Sequence, residues 1–198
     1  MSKAQLTRSH IIQQSAEVFN QFGYAGTSLA DLMQATGLKK GGIYNHFASK
    51  DELAIAAFDY SVGLVQQRYA KALRGQRASA SRLRAVVDTF CATIDEPLMK
   101  GGCPLLNTAI DSDHVHKGLK SRAQAAMDKW RSMLEKIIRY GQKRCEIQGA
   151  VDPDVVATIV IATLEGGVMM SGLYGDRIHL DRAREHLMRY VDSLLVPP

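Results

Sequence analysis

Residues 27–50, TSLADLMQATGLKKGGIYNHFASK, constrain this chain more than any other stretch. Two short helical patterns flank a turn at Thr36-Gly37-Leu38. The second pattern opens with Lys39, Lys40, Gly41 and Gly42 and closes on Tyr44 and Phe47. A helix that short, led by two cations and two glycines, is a poor core element. It is well suited to a surface lined with phosphates, because a helix amino terminus presents free N–H groups and a positive dipole end to anions. DNA binding is therefore the leading expectation.

The rest of the chain reads as helix throughout, with no alternating strand pattern. The periodicity predicts an all-α protein of about nine helices. The first runs from roughly Thr7 to Phe22, with Ile12, Ala16, Phe19 and Phe22 on one face and Gly23 as its stop. The second is capped by Thr27 or Ser28, with Asp31 completing a capping box, and ends at Gly37. The third spans about Lys39 to His46. Ser49-Lys50-Asp51-Glu52 opens a fourth that continues to about Leu73. A polar loop at 74–81 precedes the fifth, which is closed by Pro97. Pro104 starts a short sixth helix through Ile110, the seventh covers about 113–146, Asp152-Pro153 starts an eighth to about Leu173, and the ninth runs from about Leu180 to Leu195.

Composition narrows the class. Hydrophobic residues make up 46% of the 198, enough for a sizeable core. The formal charge is only +5, but residues 1–50 carry five cationic side chains against Glu17 and Asp31 and so hold +3 of it. That asymmetry suits a polyanion partner at the amino end. Cys91, Cys103 and Cys145 are odd in number and lack metal-ligand spacing, which disfavours a disulfide framework or a zinc site. No apolar leader is evident, and the run Val155–Leu164 is short for a bilayer span, so a soluble cytoplasmic protein without a membrane partner is expected.

The residues Ile11-Ile12, Ala16, Phe19, Gly23-Tyr24, Gly26-Thr27-Ser28, Leu32, Ala35, Gly37-Leu38, Lys40-Gly41, Ile43-Tyr44, His46-Phe47 and Ser49 to Leu53 occur in an order that resembles the TetR family of transcriptional regulators. The match covers about residues 6–58. The resemblance implies a helix-turn-helix DNA-binding domain over 1–50 and a helical effector-binding and dimerisation domain over 51–198. It also implies a homodimer that binds a palindromic operator in double-stranded DNA, acts most often as a repressor, and is released by a small hydrophobic effector of unknown identity. In that scheme Thr27 or Ser28 caps the second helix and bonds a phosphate, and Lys40 and Gly41 lie against the operator. Tyr44 and His46 reach backbone or base edges, Lys50 binds phosphate, and Lys39, Gly42 and Asn45 complete the DNA-facing set. Lys39 replaces a small capping hydroxyl and Gly42 replaces a base-reading side chain, so this chain departs from the pattern at two positions. The fourth helix would carry the effector signal, spreading recognition helices that otherwise fit grooves about 34–36 Å apart or a multiple of it.

The resemblance further places an effector pocket among the fourth to eighth helices and the dimer interface on the last two. Phe58, Tyr60, Phe90, Cys103, Asn107, Met127, Trp130 and Met170 are the pocket candidates, with Asn107 and Trp130 offering polar handles in apolar segments. The eighth helix is apolar on more than one face, and Gly166-Gly167 interrupt it at a cost of about 1 kcal/mol each unless close packing offsets it. Ile159, Leu164, Gly167, Leu187, Val191 and Leu194 are the interface candidates. Two other functions compete. Cys103, before Pro104 at a helix start, is a candidate electrophile or redox sensor. An enzyme with a metal site would draw on Asp111, Asp113, His114 and His116, yet no catalytic or cofactor-binding motif is present, and no catalytic residue, metal or cofactor is expected. The effector, the operator and the regulated genes are not encoded in these patterns.

Overall fold

Side-chain caps fix where most of the helices begin. The computed structural model describes residues 2–112 and 116–197, and among them are nine α-helices and no strand. A lone antiparallel bridge joins Ile147 and Leu195. Helix α1 (Lys3–Gly26) starts at Ser2, whose hydroxyl accepts the Gln5 amide while the Gln5 side chain accepts the Ser2 N–H. This reciprocal cap lies upstream of the Thr7 start that periodicity predicts, because residues 3–6 add nothing to the core. Helical geometry breaks at Gly23 (φ 70°), the expected stop, and a last turn then reaches Gly26.

Ser28 and Asp31 form the capping box of α2 (Leu29–Thr36), and Gly37 ends it in the left-handed conformation at φ 68°. Helix α3 is only Lys40–Tyr44. Helix α4 (Lys50–Leu73) opens with the Ser49 hydroxyl accepting the Glu52 amide and Glu52 accepting the Ala48 amide. Helix α5 (Ser79–Asp95) begins inside the segment expected to be loop. The Ser79 amide donates to the Glu146 carboxylate at 2.7 Å, a cap supplied from 67 positions downstream that no local pattern reveals. Helices α6 (Pro104–Asp111), α7 (Lys117–Lys143), α8 (Pro153–Tyr174) and α9 (Ile178–Ser193) follow. The end of α7 falls before the expected 146 because the Gly141 carbonyl accepts the amides of Arg144, Glu146 and Ile147 while Cys145 reverses the chain at φ 56°.

The chain forms two compact units, Met1–Val65 with Leu98–Ala126, and Gln66–Pro97 with Met127–Pro198. In the first, Ile11, Val18, Leu32, Ile43, Phe47 and Leu53 form the core of the three-helix reader and the start of α4. The inward face of α1 is therefore centred on Ile11, and Phe22, expected to point inward, is 61% exposed.

In the second unit α8, α9 and α5 pack together. Leu164, Leu187 and Val191 are fully buried there, Leu194 is buried, and Gly167 lies where a Cβ would meet Ala183 at 2.9 Å. These five were expected at a dimer interface; within the single chain they are already packed against neighbouring helices. Each sits on the side of its helix that faces the neighbouring helix. Ile159 is half-buried. Three ion pairs, Asp88 with Arg184, Arg84 with Asp192 and Asp95 with Arg177, strap α5 to α9. Helix α8 has 22 residues and is apolar enough by length and composition to cross a membrane, longer than the run noted in the sequence. One side of it packs against α9.

Candidate nucleic-acid interface

Ile43 and Phe47 anchor α3, each no more than 2% exposed. With those two apolar side chains turned inward, the helix leaves its cationic edge outside. Lys39, Lys40, Gly41 and Asn45 are exposed, and Gly42, Tyr44 and His46 are half-buried. A Cβ at Gly41 would meet nothing within 4 Å, so the backbone there is bare to an approaching surface. Lys39 occupies the N-cap position and makes no side-chain cap bond; its carbonyl accepts the amides of Gly42 and Ile43. Cations and a bare backbone at a helix start together suit a phosphate surface. Ser28, exposed at the start of α2, borders it.

Two of the expected contact residues have partners within the chain. Thr27 is 2% exposed, and its hydroxyl donates to the Gly23 carbonyl. It is a buried brace across the α1 kink, with no hydroxyl to offer a phosphate, and the cap of α2 belongs to Ser28 alone. The Lys50 ammonium donates to the Tyr24 carbonyl at 2.6 Å and lies 4.4 Å from the centroid of the Tyr24 ring. One of its three N–H donors is thus already committed to the chain.

Tyr24, read from the sequence only as a connector, is the centre of a polar node. Its hydroxyl donates to Asp51, and its amide donates to Asp111 at 2.6 Å. The hydrogen bond to Asp51, burial and the Asp51 charge push its ionisation up to about 12. His116 packs edge-on against the Tyr24 ring, accepts the Leu119 amide on Nδ1 to cap α7, and places Nε2 3.6 Å from Asp51. The ends of α1 and α6 and the starts of α4 and α7 meet here. The signal that could have found Tyr24 is Gly23 before it: a positive-φ residue turns the following amide out of the helix ladder, where it needs an acceptor.

A cavity opens among α1, α4, α6 and α7, wide enough for a water-sized group to range over about 30 Å³. Of the residues expected to bind an effector, Phe58 and Asn107 line it. Tyr60 is half-buried on α4, and Cys103 holds the N-cap position of α6 without a side-chain cap bond. Phe90, Met127, Trp130 and Met170 belong to the second unit. There Phe90 stacks on Trp130 at 5.5 Å and Tyr69 lies 6.2 Å from the same indole. Met127 is half-buried, and Met170 is 39% exposed. No group of three metal-ligating side chains occurs among the described residues. Asp113 and His114 lie outside them.

Residues 11–57 match the family profile described as bacterial regulatory proteins of the tetR family, and residues 79–187 match the one described as a tetracyclin repressor-like C-terminal domain. A TetR transcriptional regulator from Chloroflexus aurantiacus J-10-FL is 42% identical over 98% of both chains, with a TM-score of 0.94. One from Cytophaga hutchinsonii is 36% identical over 100% of this chain and 99% of its own, with a TM-score of 0.93. The HTH-type transcriptional repressor DhaR of Mycobacterium sp. (strain GP1) is 26% identical over 93% of this chain and 88% of its own. With a helix-turn-helix reader that presents lysines on its shortest helix, and with both halves matched, this chain belongs to the TetR family of DNA-binding transcriptional regulators.

Proposed function

We propose that the protein is a homodimeric repressor that binds a palindromic operator and leaves it when a small effector is bound. The division of labour is residues 1–50 for DNA and 51–198 for effector binding and dimerisation. The observation that carries the DNA reading is the exposed Lys39-Lys40-Gly41 edge mounted on buried Ile43 and Phe47. Lys40 and the α3 amides take phosphates, Tyr44, Asn45 and His46 reach the groove, and Ser28 and Lys50 flank them. The presence of a repressor among the relatives supports the sign of regulation. A bacterial cytoplasm is the compartment such a regulator requires.

Dimerisation is supported by a stripe on α8. Val155, Ala162, Met169 and Leu173 are exposed, with Ile159 and Gly166 half-buried between them. Their spacing alternates four and three residues, the seam of a helix that packs against another at a shallow angle. Val155 is 50%, Met169 55% and Leu173 74% exposed, a large apolar strip for a lone chain to leave in water. A twofold copy of the same helix covers it and presents two α3 helices to a symmetric site.

Fluorescence anisotropy with a labelled duplex from the region upstream of the gene tests this reading. The expected result is two protomers per palindromic site, an affinity that falls steeply with salt, and preference over bulk DNA by orders of magnitude. Equal affinity for competitor DNA, or one protomer per site, would end it.

A further inference from the structure

In the cavity of the first unit most lining side-chain donors are already engaged within the chain, and one oxygen of the Asp111 carboxylate has no hydrogen bond among the described residues. The Tyr24 amide is given to Asp111 and the Tyr24 hydroxyl to Asp51. The Asn20 amide donates to the carbonyls of Lys100 and Gly102. The Asn107 amide donates to the Asn20 and Gly101 carbonyls and to Asn20 Oδ1, and the Ser61 hydroxyl donates to Ala57. Asp111 uses Oδ2 for the Tyr24 amide, and its Oδ1 makes no hydrogen bond among the described residues. Gly23 makes room for that carboxylate: a Cβ there would sit 2.9 Å from Oδ1. The Thr108 hydroxyl, also in the lining, can turn to accept.

Most of the remaining wall is apolar, with Phe19 and Phe58 in the same lining. A carboxylate, neutral acceptors and aromatic rings complement a compact cation that carries its own N–H donors. An anion or a carbonyl compound would meet the Asp111 carboxylate, with the Thr108 hydroxyl to donate to it. Size narrows the class, since a range of about 30 Å³ admits roughly two or three water-sized groups.

From this we propose that the cavity is a binding site for a small primary ammonium ion of the methylammonium or ethylammonium type, held by Asp111 between Phe19 and Phe58. The carbon of such an ion meets the aromatic wall, which distinguishes it from an alkali cation. Because the lining belongs to α1, α4, α6 and α7 and includes Tyr24, occupancy bears on the elements that set the DNA-reading unit. That consequence rests on the repressor reading; occupancy itself does not.

The test is isothermal titration of the full-length protein with methylammonium chloride, with potassium chloride, ethanol and sodium acetate as comparison ligands, repeated on D111N. The substitution keeps an oxygen for the Tyr24 amide and removes the charge; helicity and melting temperature check its fold. Saturable methylammonium binding, weakened at least tenfold in D111N and not matched by the other three solutes, is the expected result. No saturable binding, equal binding by D111N, or equal binding of potassium or acetate overturns the site and leaves a water-filled void. Operator anisotropy with and without methylammonium tests the link separately. Unchanged operator affinity at saturation overturns the regulatory role, and failure of the ligand-free protein to bind an operator overturns the repressor reading without touching the titration.

Discussion

Glu146 shows how one side chain can decide where a helix starts. Its carboxylate accepts the Ser79 amide and pairs with Arg144, which together hold its ionisation down to about 2 from an ordinary 4.5. A carboxyl with a depressed folded-state value stabilises the fold above its unfolded value and loses that contribution as pH falls from 4.5 towards 2. E146Q is therefore expected to lower the melting temperature at pH 7, with a gap to wild type that narrows as the pH is taken to 3; melts followed by circular dichroism check it. At the DNA edge, Lys40 is exposed and unbraced by the fold, so K40A is expected to leave the melting temperature within experimental error. It should weaken operator binding across sequences and lower the log–log salt slope by about 1. Anisotropy titrations between 50 and 200 mM salt, the range in which phosphate contacts are lost, read that slope.

At the scale of elements, the two adjacent glycines of α8 have different reasons to be there. Gly167 faces α9, where a Cβ would press on Ala183 at 2.9 Å and on Leu180 at 3.3 Å. Gly166 faces open space in the single chain, with nothing within 4 Å of its Cβ position. G167A is expected to destabilise the protein by about 1–3 kcal/mol through forced repacking. In a lone chain G166A would gain up to about 1 kcal/mol of helix propensity. If Gly166 sits in a tight seam between two copies, G166A instead weakens association. Urea unfolding combined with sedimentation equilibrium separates these results. The pair was legible in the sequence as a close-packing signal; which glycine packs against what was not, because the same spacing serves an intrachain and an interchain neighbour equally well.

For the whole molecule, assembly is linked to stability. If the α8 stripe is covered by a second copy, the melting temperature rises with protein concentration, since mass action favours the paired state. L173E is expected to abolish that dependence while leaving the helical signal intact. L164A, at a fully buried position, is expected to cost about 2–5 kcal/mol at any concentration. Scanning calorimetry across a hundredfold concentration range distinguishes the two. A wild-type melting temperature independent of concentration would count against the dimer.

Local chemistry determined the reader. The capping box of Ser28 with Asp31, the left-handed turn at Gly37 and the inward Ile43 and Phe47 are short-range features. A sequence of residues 27–50 has few other ways to satisfy its amides and bury its apolar groups. The helix count and the all-α class follow from periodicity for the same reason. Long-range contacts decided what periodicity is blind to. An apolar residue on a helix is marked for burial, but its partner is not named: Leu164, Leu187 and Val191 read as interface, and in the single chain their own neighbouring helices already bury them. A tyrosine after a glycine looks like a loop until Asp51, Asp111 and His116 arrive from three other helices. Burial is a property of spacing, and partnership is a property of the folded chain.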